Sequence, residues 1–99
     1  MYRKTTTVIT PTGLHARPAA EFVAAAKKFQ STITIRTVDD SDAVPMNAKS
    51  IVMLLSLGAC QNTKVEISAS GSDETEAVDS LVALIDSDFG ELSNSNISH

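Results

Sequence analysis

Hydrophobic and polar positions recur with two different periods along this chain, and each change of period marks an element. Residues 4–10 are rich in Thr, Val and Ile and stop at Pro11-Thr12-Gly13, which predicts a strand ending in a turn. From Ala16 to about Lys28 the spacing changes. Ala19, Phe22, Val23, Ala26 and Phe29 recur every three or four residues, giving a helix with one apolar face. Thr32-Ile33-Thr34-Ile35-Arg36 returns to period two, the pattern of a half-buried strand. Asp39-Asp40-Ser41-Asp42 predicts a polar turn, and Val44 to Asn47 a short return strand. Pro45 has no N–H to give to a ladder, so that strand belongs at an edge.

Ser50 to Leu57 predicts a short, strongly apolar helix with Gly58 just past its end. Lys64-Val65-Glu66-Ile67-Ser68-Ala69 alternates again as a strand. Gly71-Ser72-Asp73 opens a last helix. Asp73 and Glu76 have capping-box spacing, with Ser72 an alternative cap. Ala77, Val78, Leu81, Leu84 and Ile85 form its buried stripe and Gly90 its end. The segment Glu91 to His99 is Ser- and Asn-rich and is expected to be a flexible polar tail behind a domain of residues 1–90. Alternating strands need one covered face, and three amphipathic helices supply the cover. The order βαββαβα therefore implies a two-layer α+β sandwich. Val8, Ile33, Ile35, Val65, Ile67 and Ala69 would line the inside of its sheet.

Composition narrows the class. The 99 residues are 42% hydrophobic and 20% charged, enough for one modest core. No apolar run approaches the roughly 18 residues of a membrane helix, and no apolar stretch follows the basic N-terminus as a secretory signal would require. A single cysteine, Cys60, cannot form an internal disulfide, which fits a reduced cytoplasm and casts Cys60 as a small core filler. The formal charge of −4 argues against general nucleic-acid binding, but it is unevenly spread. Residues 72–99 hold seven acidic residues and no Lys or Arg, whereas residues 1–71 hold eight basic residues against five acidic ones. Two faces with different partners, or simply two solvated faces, follow from that split.

The chemistry concentrates in Gly13-Leu14-His15-Ala16-Arg17-Pro18-Ala19. The periodicity puts His15 at the junction of first strand and first helix. Gly13 allows the tight turn into the helix, and Pro18 falls in the first turn, where a missing N–H is harmless. The first-turn N–H groups, including those of Ala16 and Arg17, form an anion site beside the ring, and Arg17 adds a cation suited to phosphate oxygens. A nucleophilic imidazole beside such a site suits accepting a phosphoryl group. The plainer reading, a solvated cap histidine, carries equal weight on these residues alone. No Cys, His or carboxylate stands at metal-ligand spacing around His15, so neither a metal nor a cofactor is expected. No G-x-S-x-G turn supports a hydrolase.

The histidine run, followed by Asn47-Ala48-Lys49-Ser50-Ile51 and Leu57-Gly58, closely resembles the HPr family of phosphocarriers over about residues 2–89. That family belongs to the bacterial phosphoenolpyruvate-dependent sugar phosphotransferase system. The resemblance implies an open-faced β-sandwich, a four-stranded antiparallel sheet with three helices on one face. It implies that His15 is phosphorylated on Nδ1 by enzyme I and donates to IIA components of sugar permeases, with Arg17 assisting. The chain would then be a monomeric carrier, a substrate of enzymes more than an enzyme. Ser50 matches a serine that an HPr kinase/phosphorylase modifies for regulation through a transcriptional partner. An added phosphate there would meet the helix dipole and put about −1.5 to −2 charge on the docking face. A simple N-cap role accounts for Ser50 equally well.

Residues matching Ile51, Val52 and Leu55, together with Ala16, Ala20, Lys27 and Lys49, meet partners in the family. A short helix that is apolar nearly all round cannot bury every side, so part of it should be exposed beside His15, while Leu54 and Leu57 go to the core. The chain departs from some relatives at Ala24 and Met53, where they carry lysine, and in a longer Asp-rich loop. A nitrogen-branch or catabolite-repression-type paralogue, acting mainly as a regulatory interaction protein, is the alternative. The Lys49-Ser50 pair favours the sugar branch, and an intact His15 favours carriage.

Overall fold

The computed structural model describes residues 1–39 and 42–90. Seven elements follow in the expected order: β1 Tyr2–Thr7, α1 Ala16–Ala26, β2 Thr32–Thr37, β3 Met46–Asn47, α2 Ile51–Ser56, β4 Lys64–Ser70 and α3 Glu74–Asp86. The strands form one four-stranded sheet of order β1-β4-β2-β3, antiparallel throughout. Its register sets Thr6 opposite Val65 and Ile35 opposite Ile67. The period-two pattern decides which face is covered. Ile33, Ile35, Val65, Ile67 and Ala69 are buried, while Thr34, Glu66 and Ser68 between them are half-buried and Thr32, Lys64 and Ser70 at the strand ends are exposed. Phe22, Leu54, Leu81 and Ile85 close the core from the helices. The architecture is therefore the open-faced α+β sandwich, with helices on one face and a polar sheet surface on the other.

Some boundaries shift for identifiable reasons. The first strand starts at Tyr2, not residue 4, because its inner face is fastened to α3. Tyr2 Oη donates to Asp79 Oδ1 at 2.9 Å, Lys4 Nζ lies 2.8 Å from the same oxygen, and the Thr6 hydroxyl donates to Asp86. It ends at Thr7, although Val8 stays buried and tied to the loop at 62–63. The return strand is only Met46–Asn47 and sits at the sheet edge, since the ladder can begin only after Pro45. The last helix ends at Asp86, before Gly90. There the chain turns through left-handed Asp88 and Phe89, and the Phe89 N–H reaches Leu84 O at 2.8 Å. That turn carries the Phe89 ring into the core. Leu84, placed in the buried stripe by spacing, is only half-buried.

Cys60 is exposed and is not a core filler. Its neighbour Ala59 takes the buried position, and Cys60 caps a turn in which its N–H donates to Thr63 Oγ1 at 3.1 Å. The segment 91–99, expected to be a tail, and Asp40 and Ser41 of the Asp-rich turn lie outside the described residues.

The capping-box reading of Asp73 is also corrected. Asp73 occupies the N-cap of α3, but its side chain makes no capping bond. Its carboxylate instead receives the N–H groups of Gln30 at 2.9 Å and Ser31 at 3.0 Å, and the Ser31 hydroxyl. These donors, the hydroxyl first, hold the Asp73 carboxyl below its ordinary value near 3.8. A carboxyl lowered in the folded state stabilises the fold above its unfolded value, and the contribution is lost as pH falls through the folded one. Asp73→Asn should therefore lower Tm at pH 7 and flatten the fall in Tm expected of the parent below about pH 4, as thermal melts of both across pH will record.

Candidate functional site

The loop before α1 is fixed from both ends. The Gly13 N–H donates to Thr10 O at 3.0 Å, and the Leu14 N–H to Ala59 O at 2.9 Å. Leu14 and Ala59 are both fully buried. Gly13 has φ +71°, and a Cβ there would lie 2.4 Å from Ala59 O. Only glycine lets the two loops approach this closely. From that anchored strip the chain delivers His15 to the N-cap of α1 with extended backbone, φ −132° and ψ 165°. Its imidazole makes no capping hydrogen bond and is half-buried, so the ring is held by its backbone and left for chemistry.

Ala16 follows with φ +52°, a left-handed conformation that an alanine resists by about 1–2 kcal/mol. The kink falls between the histidine and the first turn, where the N–H groups of a helix lack intrahelical acceptors. Arg17 presents a largely exposed side chain, with Nε 3.5 Å from Glu21 Oε1 one turn further on. Reading the motif alone missed Glu21. The i,i+4 spacing of Arg17 and Glu21 was the signal that could have found it.

The proposed contact residues divide. Ala16, Ala20 and Lys27 are exposed and fall four and seven residues apart, one stripe of α1. A groove of about 350 Å³ runs along that stripe, lined by Ala20, Val23, Ala24, Lys27 and Ile51. Val23 and Ala24 were not among the expected contact residues, although they continue the spacing from Ala20. On α2, Ile51, Val52 and Leu55 are exposed, with Val52 at 73%, while Leu54 is buried and Leu57 half-buried. Met53 is exposed too. The apolar helix therefore divides as a short helix must, with one side in the core and the other on the surface.

Lys49 stands apart from the histidine. Its Nζ donates to Phe29 O at 2.7 Å, beyond the C-terminal end of α1, a helix about 16 Å long. A cation there complements the helix dipole, and the side chain is half-buried. Ser50 is the N-cap of α2, with Oγ accepting from the Met53 N–H at 3.3 Å. Ser50→Ala should reduce stability by about 0.5–1 kcal/mol, measurable by urea unfolding.

Among the described residues no group of three His, Cys, Asp or Glu could hold a metal ion, and no helix is long and apolar enough to cross a membrane. What the site offers is one nucleophilic ring, a helix N-terminus and a guanidinium, next to an apolar surface edged by Lys27.

Comparison with known proteins addresses the same residues. The family described as "PTS HPr component phosphorylation site" matches residues 2–87. Phosphocarrier protein HPr of Haemophilus influenzae is 47% identical over 85 residues, covering 86% of this chain and 95% of that protein. Phosphocarrier protein NPr of Proteus mirabilis is 40% identical over 79 residues, covering 80% and 84%. The crystal structure of HPr-C-His from Thermoanaerobacter tengcongensis superposes with a TM-score of 0.83 at 48% identity, covering 91% of this chain and 97% of that one.

Proposed function

The chain belongs to the HPr family, and from that premise we propose that His15 accepts a phosphoryl group from enzyme I and passes it to IIA components of sugar permeases. The observation that carries the reading is the placement of an unengaged His15 ring at the N-cap of α1, two residues before Arg17. The Nδ1 lone pair attacks phosphorus as the bond between phosphorus and the phosphorylated donor breaks. The bonding pair leaves with the donor, and the same kind of exchange, with His15 now the leaving group, hands the phosphoryl group to the acceptor. Little covalent work falls to this chain. It positions the ring and offsets the charge on the three phosphoryl oxygens with Arg17 and the helix N-terminus. Among the described residues the space beside α1 is an open groove, and a carrier needs no enclosed pocket when its partners close the site around the ring.

Exposed Ile51, Val52 and Leu55 with the groove beside Ala20 and Lys27 make an apolar patch with a basic edge, suited to short-lived docking. Lys49 is a support for α1 rather than a contact beside the ring. The protein works in the cytoplasm as a monomer. Incubation with enzyme I and radiolabelled phosphoenolpyruvate should give one acid-labile phosphoryl group per chain. No label refutes carriage.

A second reading, a regulatory protein acting mainly through phosphorylation-dependent partner binding, draws on the likeness to an NPr and on Ser50 beside the apolar patch. Ser50 phosphorylation by an HPr kinase/phosphorylase would set a charge of about −1.5 to −2 at that edge. Onward transfer separates the branches. Label passing to a sugar IIA component favours the first reading, and label passing only to a nitrogen-branch IIA component favours the second.

A further inference from the structure

We propose that Glu21 is a positioning residue that acts through Arg17. It holds the guanidinium along the flank of α1 until a phosphoryl group on His15 competes for it. The proposal rests on the carrier reading of His15 and adds a residue to it. Arg17 Nε lies 3.5 Å from Glu21 Oε1. With 1.5 Å of rise per residue, Glu21 sits about 6 Å further along the helix than Arg17, whereas His15 precedes Arg17 at the N-cap. The carboxylate and the phosphoryl site therefore pull the same guanidinium in opposite directions.

Charge and exposure set which one wins. The Arg17 side chain is 69% exposed and that of Glu21 39%, so the pair is solvated and weak, equivalent to about twofold in an equilibrium. A phosphoryl group carries about two negative charges and three acceptor oxygens against the single charge of Glu21. Arg17 then exchanges Glu21 for the phosphoryl oxygens. Glu21 also adds a negative charge one turn beyond Arg17 and repels the group. Both effects disfavour the phosphorylated form slightly, which keeps the group easy to donate. No bond forms or breaks in the exchange beyond the transfer at Nδ1.

The test is the position of equilibrium with catalytic enzyme I in a phosphoenolpyruvate/pyruvate buffer, read as the ratio of phosphorylated to free carrier. Glu21→Gln should raise that ratio about two- to threefold at low salt, with the gain shrinking as ionic strength rises. In an Arg17→Gln background the same substitution should change the ratio by clearly less, because the guanidinium it acts through is gone. An unchanged ratio in Glu21→Gln, or an equal gain with and without Arg17, overturns the proposal while leaving carriage intact. Absence of acid-labile label on the parent chain removes the carrier reading, and this proposal with it.

Discussion

Replacing His15 with alanine should take enzyme I-dependent labelling from one acid-labile phosphoryl group per chain to none. No other internal histidine exists to accept the group, since the chain's second histidine is His99. The loss should occur without unfolding. The His15 side chain caps nothing, is half-buried, and leaves the backbone of the N-cap to be set by the Leu14–Ala59 hydrogen bond and by Gly13. A surface substitution of this kind shifts stability by no more than about 0.5 kcal/mol. Label and melting curve should therefore separate completely, and phosphorylation of a folded His15→Ala chain would move the acceptor elsewhere. The Arg17→Gln variant should fall between, accepting the group more slowly, because a donor of charge-assisted hydrogen bonds has been lost while the nucleophile stays.

The ease with which that site is found in the sequence has a physical source. Gly13, His15, Arg17 and Pro18 act within one strand-to-helix junction, so their spacing along the chain is close to their spacing in space. The same holds for Ser50 as the α2 cap and Gly58 with φ +70° just beyond that helix. Strand and helix periods likewise report burial directly, and the inward residues of β2 and β4 follow from alternation alone.

What stays hidden depends on contacts between distant segments. Asp73 has the spacing of a capping residue, yet the backbone of Gln30 and Ser31, 43 and 42 positions away, competes for its carboxylate and wins. Cys60 has the composition of a core residue, but the loop that pairs with residues 8–14 turns its neighbour Ala59 inward instead. Phe89 is drawn into the core past the end of α3, so the helix stops short of its glycine. Lys49 is placed by its motif with the docking residues, and only the fold reveals that its Nζ also donates to Phe29 O past the C-terminal end of α1. The uneven charge also acquires a place. Asp79 and Asp86 on α3 fasten β1, while Arg17 lies in α1 and Lys27 at its C-cap, on the helix that His15 begins.

Gly13→Ala should be the most damaging single methyl group that can be added near the site, lowering stability by about 3 kcal/mol. Two effects combine. At φ +71° any Cβ meets about 1–2 kcal/mol of backbone strain. The new methyl would also lie 2.4 Å from Ala59 O and 2.9 Å from Cys60 Cα, both backbone atoms, so no side-chain rotation relieves the overlap. Overpacking of that sort adds about 1–3 kcal/mol. Gly58→Ala separates the two effects, because Gly58 has φ +70° but nothing within 4 Å of the position a Cβ would take. That variant should lose only about 1 kcal/mol, the backbone part. Urea unfolding of the pair should therefore differ by about 2 kcal/mol, and equal losses would assign the whole requirement to conformation rather than to contact. The function should follow the same order. Forcing residues 13 and 59 apart strains the Leu14–Ala59 hydrogen bond that sets His15, so Gly13→Ala should accept phosphoryl groups more slowly even under conditions where it is fully folded. Gly58→Ala leaves that bond alone and should accept at the parent's rate.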